Sequence, residues 1–285
     1  MSSHENTLIL GAVAYDPKVV TIWEGFRDFF AQHGLAFDAV LYTNYERQVE
    51  AHLRGEIHVA WNSPLAWLQA RDAGRRLGRS AEAIAMRDTD RDLESIVLVK
   101  ADSALTSVED LRGRAVGVGA ADSPQATLIP LLELAEKGLE PDRDFRVVRH
   151  DLLLGKHGDH NGGEREAVKA LLAGKVDAAC IIDGNHLAFT REGTVPSGAL
   201  RALHTTARYD HCNFTVFDDA PEDLVARFRE LCLAMDFEDF KVRPLLELEG
   251  LKAWLPGRTS GYALLERALE RFGTIEPWLA RVAPR

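Results

Sequence analysis

The sequence predicts an α/β protein of two lobes, each a mixed, mainly parallel sheet flanked by helices. Strand-like and helix-like segments alternate through the first third of the chain and then begin the alternation again, the pattern that lays helices on both faces of a parallel sheet. A chain of 285 residues also reaches the size, about 250–300 residues, at which single cores stop growing and chains divide. Hydrophobic residues make up 46% of it and charged residues 27%, enough apolar side chain to bury two cores.

Thr7 to Ala14 reads as a short buried strand bounded by Tyr15, Asp16 and Pro17. A helix follows, because Val19, Trp23, Phe26 and Phe30 recur at spacings that put them on one face; Gly34 ends it. Phe37 to Tyr42 is a second strand, leading through Thr43 and Asn44 to a helix that carries Val49 and Leu53 and stops at Gly55. Ile57 to Trp61 is a third strand running into Asn62, Ser63 and Pro64. Pro64 suits a first helical turn, where its missing amide proton costs nothing, and Ser63 suits the cap.

The second round opens with the β-branched strand Leu93 to Lys100 and a short helix over Val108 to Leu111. The strand Ala115 to Val118 ends at the loop Gly119 to Pro124, and a helix runs from Pro124 to about Lys137. Next come the strand Phe145 to Val148, a glycine- and histidine-rich loop from Gly155 to Gly163, a helix over Glu164 to Leu172 and the strand Val176 to Ile182. An extended stretch, Tyr209 to Phe217, precedes helices at Leu224 to Met235, Arg243 to Glu249 and Tyr262 to Phe272. No proline- or glycine-rich linker separates the lobes, so the chain is expected to cross between them in extended strands.

A formal charge of −10 argues against a nucleic-acid partner, which needs a concentrated basic surface. Cys180, Cys212 and Cys232 lie far apart, form no CxxC and leave at least one thiol unpaired, so there is no disulfide framework. The N-terminus lacks a basic region and cleavage site, and no stretch reaches the roughly 18 to 20 apolar residues of a membrane span. The expected location is therefore cytoplasmic as the sequence stands, or periplasmic if a leader has been removed, with no insertion into a membrane.

Four blocks now carry a resemblance. Val49 to Leu65, Val97 to Gly119, Arg165 to Ala179 and Glu222 to Leu231 are similar, in that order, to blocks of the phosphate/phosphonate-type (PhnD-like) periplasmic substrate-binding proteins. The likeness runs over roughly Leu8 to Leu265. It implies a class II periplasmic-binding-protein (venus flytrap) fold. One lobe, residues 1–97 and 208–285, would come from both chain ends, and the other, 98–207, from the middle. Crossings would fall near Ser95 to Lys100 and near Leu203 to Phe217, with ligand at the carboxyl ends of the strands, where open α/β sheets place it. The resemblance also implies an ABC-transporter permease as partner if the protein is exported.

The loops after strand ends supply the candidate ligand contacts: Tyr15; Asn44 and Tyr45; Trp61, Asn62 and Ser63; Ser123, Gln125 and Thr127; then Arg165, Asp183 and His211. Ser63 and Ser123 each precede a helix start, where free amide protons and the dipole favour an anion, although plain capping accounts for a Ser-Pro pair equally well. Where the family has a Ser/Thr-rich turn this chain has Asp122 to Thr127, and where it often has a Ser-His pair this chain has Glu164 and Arg165. An added carboxylate repels a dianion, so a zwitterion, a monoanion or an amine-bearing acid fits better than phosphate; Arg165 offers a bidentate partner for a carboxylate.

No cofactor is expected. His157, Asp159 and His160 are metal-ligand types, but their spacing matches no established zinc motif and solvated loop histidines are the plainer reading. His211 and Cys212, with Asp183 or His186 from other loops, would be the catalytic candidates in a cytosolic lyase- or hydrolase-like enzyme on this fold. As neighbours on a strand, however, His211 and Cys212 should point to opposite faces. The leading expectation is a solute-binding protein that captures a small polar, anionic or zwitterionic molecule in an interlobe cleft, with the enzyme as alternative.

Overall fold

The computed structural model describes residues 6–158, 162–273 and 275–283. In chain order its first elements are β1 (Leu8–Val13), α1 (Lys18–Gln32), β2 (Phe37–Tyr42), α2 (Tyr45–Leu53), β3 (Val59–Asn62), α3 (Pro64–Arg76) and β4 (Ala81–Arg87). The middle holds β5 (Ser95–Lys100), β6 (Ala115–Val118), α4 (Ile129–Glu136), β7 (Arg146–Arg149), α5 (Glu164–Leu172), β8 (Ala178–Ile182), α6 (Asp183–Arg191) and β9 (Leu200–Thr205). The chain ends with β10 (Asn213–Phe217), α7 (Glu222–Leu233), α8 (Arg243–Glu249), β11 (Trp254–Pro256), α9 (Ala263–Phe272) and α10 (Glu276–Val282).

These elements form two compact units, one of Met1–Arg91, Asp210–Gly261 and Ile275–Arg285, the other of Asp92–Tyr209 and Tyr262–Thr274. The backbone therefore passes between them four times, where the sequence expectation has two crossings and gives 208–285 undivided to the first lobe. The difference is α9, which packs against α4. Its apolar residues Leu264, Leu265, Ala268 and Leu269 lie on one face and are buried, and the cover they need comes from the second unit.

The first unit has one six-stranded sheet in the order β11-β4-β10-β3-β1-β2. β1 runs parallel to β2 and β3, whereas β10 lies antiparallel between β3 and β4. A strand from late in the chain is thus inserted between early ones, so both chain ends build one sheet. The expected face of α1 is buried: Val19, Ile22, Trp23, Phe26 and Phe30 join Trp61, Phe214, Phe228 and Trp254 in an aromatic-rich core.

In the second unit the order is β7-β6-β8-β5-β9, with β6 parallel to both neighbours and β5 antiparallel to both of its own. Alternate side chains of β5 and β8 feed separate cores: Val97, Val99 and Cys180 face one, and Ile96, Leu98 and Ile181 the other, as the two-residue period of a strand requires. No helix among the described residues is long and apolar enough to cross a membrane.

Three elements differ from expectation. β4, of sequence AEAIAMR, carries too little apolar alternation to read as a strand, yet it pairs with β10 and β11. α6 begins at Asp183, where the sequence suggests a loop. Pro124 opens a π-helical turn, Pro124–Leu128, before α4. Its cause is local: Pro130 has no amide proton to give Ala126, and the Ala126 carbonyl accepts from Gly119 N instead, at 3.2 Å.

Candidate functional site

In the first unit the strand-end loops are tied together by a buried polar network. Gln48 on α2 donates from Nε2 to the Trp61 carbonyl at 2.9 Å and to Asn62 Oδ1 at 2.8 Å. Asn62 Nδ2 donates to Thr215 Oγ1 at 2.9 Å, and that hydroxyl donates to Asn213 Oδ1 at 2.7 Å. Gln48, Asn62, Asn213 and Thr215 have essentially no exposed surface, so each bond replaces one that water would have supplied. Asn44 and Ser63 cap α2 and α3, accepting from Arg47 N at 2.9 Å and Ala66 N at 3.1 Å. Tyr45 is buried, Tyr15 half-buried against the core, and Trp61 packs 4.7 Å from Phe214 and 5.6 Å from Trp254. These residues build the scaffold behind the loops.

The second unit has a matching device. Tyr209 Oη and Ser95 Oγ are 2.7 Å apart, and Ser95 Oγ donates to the Gln125 carbonyl at 2.5 Å. Gln125 Nε2 donates to the Gly158 carbonyl at 2.6 Å and lies 3.4 Å from Glu164 Oε1. The other Glu164 oxygen accepts from Ile182 N at 2.9 Å and Asn185 Nδ2 at 2.8 Å. Glu164 is a fully buried carboxylate, held by donors from three segments. Burial, with Glu164 adding to it, pushes the Cys180 thiol up to about 12. Burial likewise raises the Tyr209 phenol, with Ser95 opposing and Glu164 reinforcing.

Ser123 caps the π-turn through Ala126 N at 3.2 Å and is fully buried. What covers it is the glycine- and histidine-rich loop: a Cβ on Gly158 would stand 2.4 Å from Ser123 Oγ. His157 has no exposed surface, so for this residue the solvated-loop expectation is corrected; Asp159 and His160 lie outside the described residues. Thr127 is buried, and its Oγ1 has no hydrogen-bond partner among the described residues. Arg165 pairs with Glu192, donates to Thr194 at 2.9 Å and lies 4.4 Å over the Phe189 ring. Asp183 is exposed at the start of α6, accepting from Gly184 N at 2.7 Å, and His186 is half-buried on the same helix.

In the first unit the sequence candidates His211 and Cys212 meet partners that sequence reasoning missed, Asp90 with Arg87 and Glu249. Asp90, in a tight turn after β4, accepts from Arg87 Nε at 2.5 Å and Nη2 at 3.0 Å. Arg87 also donates to the Glu249 carboxylate at 3.2 Å and its carbonyl at 2.8 Å. His211 Nδ1 lies 3.5 Å from Asp90 Oδ1 and 3.1 Å from Cys212 Sγ. The expectation that His211 and Cys212 point apart is overturned, because the extended strand begins only at Asn213 and the irregular backbone before it turns both side chains the same way. Burial opposes ionisation of Asp90, but Arg87 and His211 outweigh it and hold its pKa at about 2. One nitrogen faces both thiol and carboxylate, so the trio lacks the two-ended imidazole relay of a cysteine nucleophile. Asp90 sits in the charged run Arg87–Asp92, and nothing in its spacing distinguishes a buried carboxylate from solvated ones.

A family model described as "ABC transporter, phosphonate, periplasmic substrate-binding protein" matches residues 12–262. The chain belongs to this family. Solved structures share the fold: PhnD1 from Prochlorococcus marinus (MIT 9301), in complex with methylphosphonate, superposes with a TM-score of 0.71 at 17% identity over 95% of this chain and 99% of that one. A binding protein component of an ABC phosphonate transporter from Pseudomonas aeruginosa gives 0.65 at 14% identity over 97% and 96%. The periplasmic aliphatic sulphonate binding protein SsuA from Escherichia coli gives 0.60 at 17% identity over 98% and 89%. The phosphonate-type binding protein is thus a class II periplasmic-binding-protein fold with a solute-binding role.

Proposed function

We propose that this binding protein takes a small organic oxyanion whose net charge is no more negative than minus one, zwitterions included, and passes it to an ABC-transporter permease in the periplasm. Family membership supports the compartment and the permease. The charge preference rests on one observation: the buried Glu164 carboxylate lies directly behind the Ser123–Thr127 turn, joined to it through Gln125 Nε2 at 3.4 Å. In that turn the buried Thr127 hydroxyl, which has no hydrogen-bond partner among the described residues, offers a donor to an anion. A fixed negative charge behind it repels each charge of the ligand, so a dianion is penalised about twice as much as a monoanion.

Two unit charges about 10 Å apart interact by about 1.7 kcal/mol at an effective dielectric of about 20, which is more than tenfold in affinity. Calorimetric titration at alkaline pH with an alkylsulfonate, an aminoalkylphosphonate, methylphosphonate and inorganic phosphate tests this. The two ligands of lower net charge should bind more tightly, and Glu164→Gln, which keeps an acceptor for Ile182 N, should narrow the gap by about tenfold. A dianion binding most tightly to the unaltered protein, or a gap unmoved by Glu164→Gln, would overturn the reading.

A further inference from the structure

We propose that Asp90, His211 and Cys212 form a binding site for a divalent transition-metal ion of the zinc class. The argument is geometric first. One donor atom from each residue lies within 4.8 Å of the other two, with Nδ1 to Sγ at 3.1 Å and Nδ1 to Oδ1 at 3.5 Å. A tetrahedral zinc ion with bonds of about 2.0–2.3 Å holds its ligand atoms about 3.4–3.6 Å apart. Two sides of the triangle lie within a few tenths of an ångström of that spacing, and the third, from carboxylate to thiol, is under 4.8 Å, so the ion draws these two ligands together at its apex.

The donor set selects the metal. A thiolate with an imidazole suits zinc and its softer neighbours, whereas magnesium and calcium require oxygen ligands throughout. Three protein donors leave a fourth position for water or an oxyanion, the arrangement of an open site.

The surroundings fit a cation as well. Arg87 grips Asp90 from the side, with its shorter bond to Oδ2, and so orients the carboxylate as second-sphere partners of metal ligands do. Its positive charge is matched by Glu249, 3.2 Å away. Arg87, Asp90 and Glu249 together carry one net negative charge. A divalent ion with the Cys212 thiolate adds one positive charge and brings the cluster to neutrality, the condition under which buried charge is tolerated. Cys212 is 3% exposed and His211 8%, and the exposed margin of the imidazole gives an ion its entry. Neither other thiol competes, since burial raises the pKa of both Cys180 and Cys232. The site owes nothing to the charge preference proposed above, and its test is separate.

Tag-free protein would be stripped with a chelator and titrated with Zn²⁺ and with Co²⁺. About one equivalent of Zn²⁺ should bind, Mg²⁺ should not, and the Co²⁺ form should show thiolate-to-metal charge-transfer absorption. Cys212→Ser should abolish that absorption, and Cys212→Ser and His211→Gln should each weaken Zn²⁺ binding at least about tenfold. Absence of the charge-transfer band from the unaltered protein overturns the proposal whether or not the variants fold. Zinc binding that both folded variants retain at full strength overturns it equally, by assigning the metal to other groups.

Discussion

His52 lies on α2 with 1% of its surface exposed, its ring 4.5 Å from that of Phe217 and neither nitrogen bonded within the described structure. Burial, opposed by the backbone at His58 and by Asp219 and reinforced by Arg79, lowers its pKa to about 3. The unfolded chain, with an ordinary histidine near 6.5, therefore binds more protons than the folded one between those values. Stability must fall as pH drops through that window. From pH 7 to pH 5 this one group should cost about 2 kcal/mol. His52→Met keeps the apolar contact and removes the titration. Denaturant melts at the two pH values should therefore show the variant losing about 2 kcal/mol less than the unaltered protein, and equal losses would disprove the assignment. Nothing in the sequence sets His52 apart from solvated His33, nor Asp90 from its charged neighbours, because burial of a polar group is decided by which helix face and which turn meet the core. The strand-end positions were legible for a different reason. Asn62, Ser63 and Ser123 follow apolar runs and precede prolines, so their place was fixed locally even though their partners were not.

At the scale of elements, local signals sufficed wherever one periodicity dominated. Glu164 to Leu172 and Arg243 to Glu249 form α5 and α8 with the expected bounds, and the strands Phe37 to Tyr42 and Ala115 to Val118 likewise. They failed where an element is completed by distant chain, as in β4 between β10 and β11, or α6, whose buried set is Phe189 alone. The loop over Ser123 belongs to this second class. Gly158 has φ of 67°, and a Cβ there would meet Ser123 at 2.4–2.5 Å. Gly158→Ala thus combines a left-handed backbone that alanine resists with a clash against a capped, buried serine. It should cost about 2 kcal/mol and lift the loop from the turn, so limited proteolysis should cut the variant between residues 150 and 163 sooner than the unaltered chain. Unchanged stability and cutting rate would mean that the loop does not hold Ser123 closed.

For the whole molecule, the useful asymmetry is in the tryptophans. Trp23, Trp61, Trp67, Trp254 and Trp278 all belong to the first unit, so their fluorescence reports on that unit alone, whereas far-ultraviolet circular dichroism reports helices and strands of both. Each unit has its own sheet and its own apolar cores, which is the physical requirement for unfolding on its own. Four backbone passages oppose this by tying the ends of each unit to the other, and α9 reaches the second unit only through chain that first completes β11. Leu134 decides between the two. It is fully buried on α4 in a core of the second unit, and truncation to alanine should cost about 2–5 kcal/mol there. With separate cores dominating, Leu134→Ala lowers the denaturant midpoint seen by circular dichroism, which becomes biphasic, and leaves the tryptophan transition where it was. A common shift of both signals would mean that the chain passages weld the units into one cooperative system.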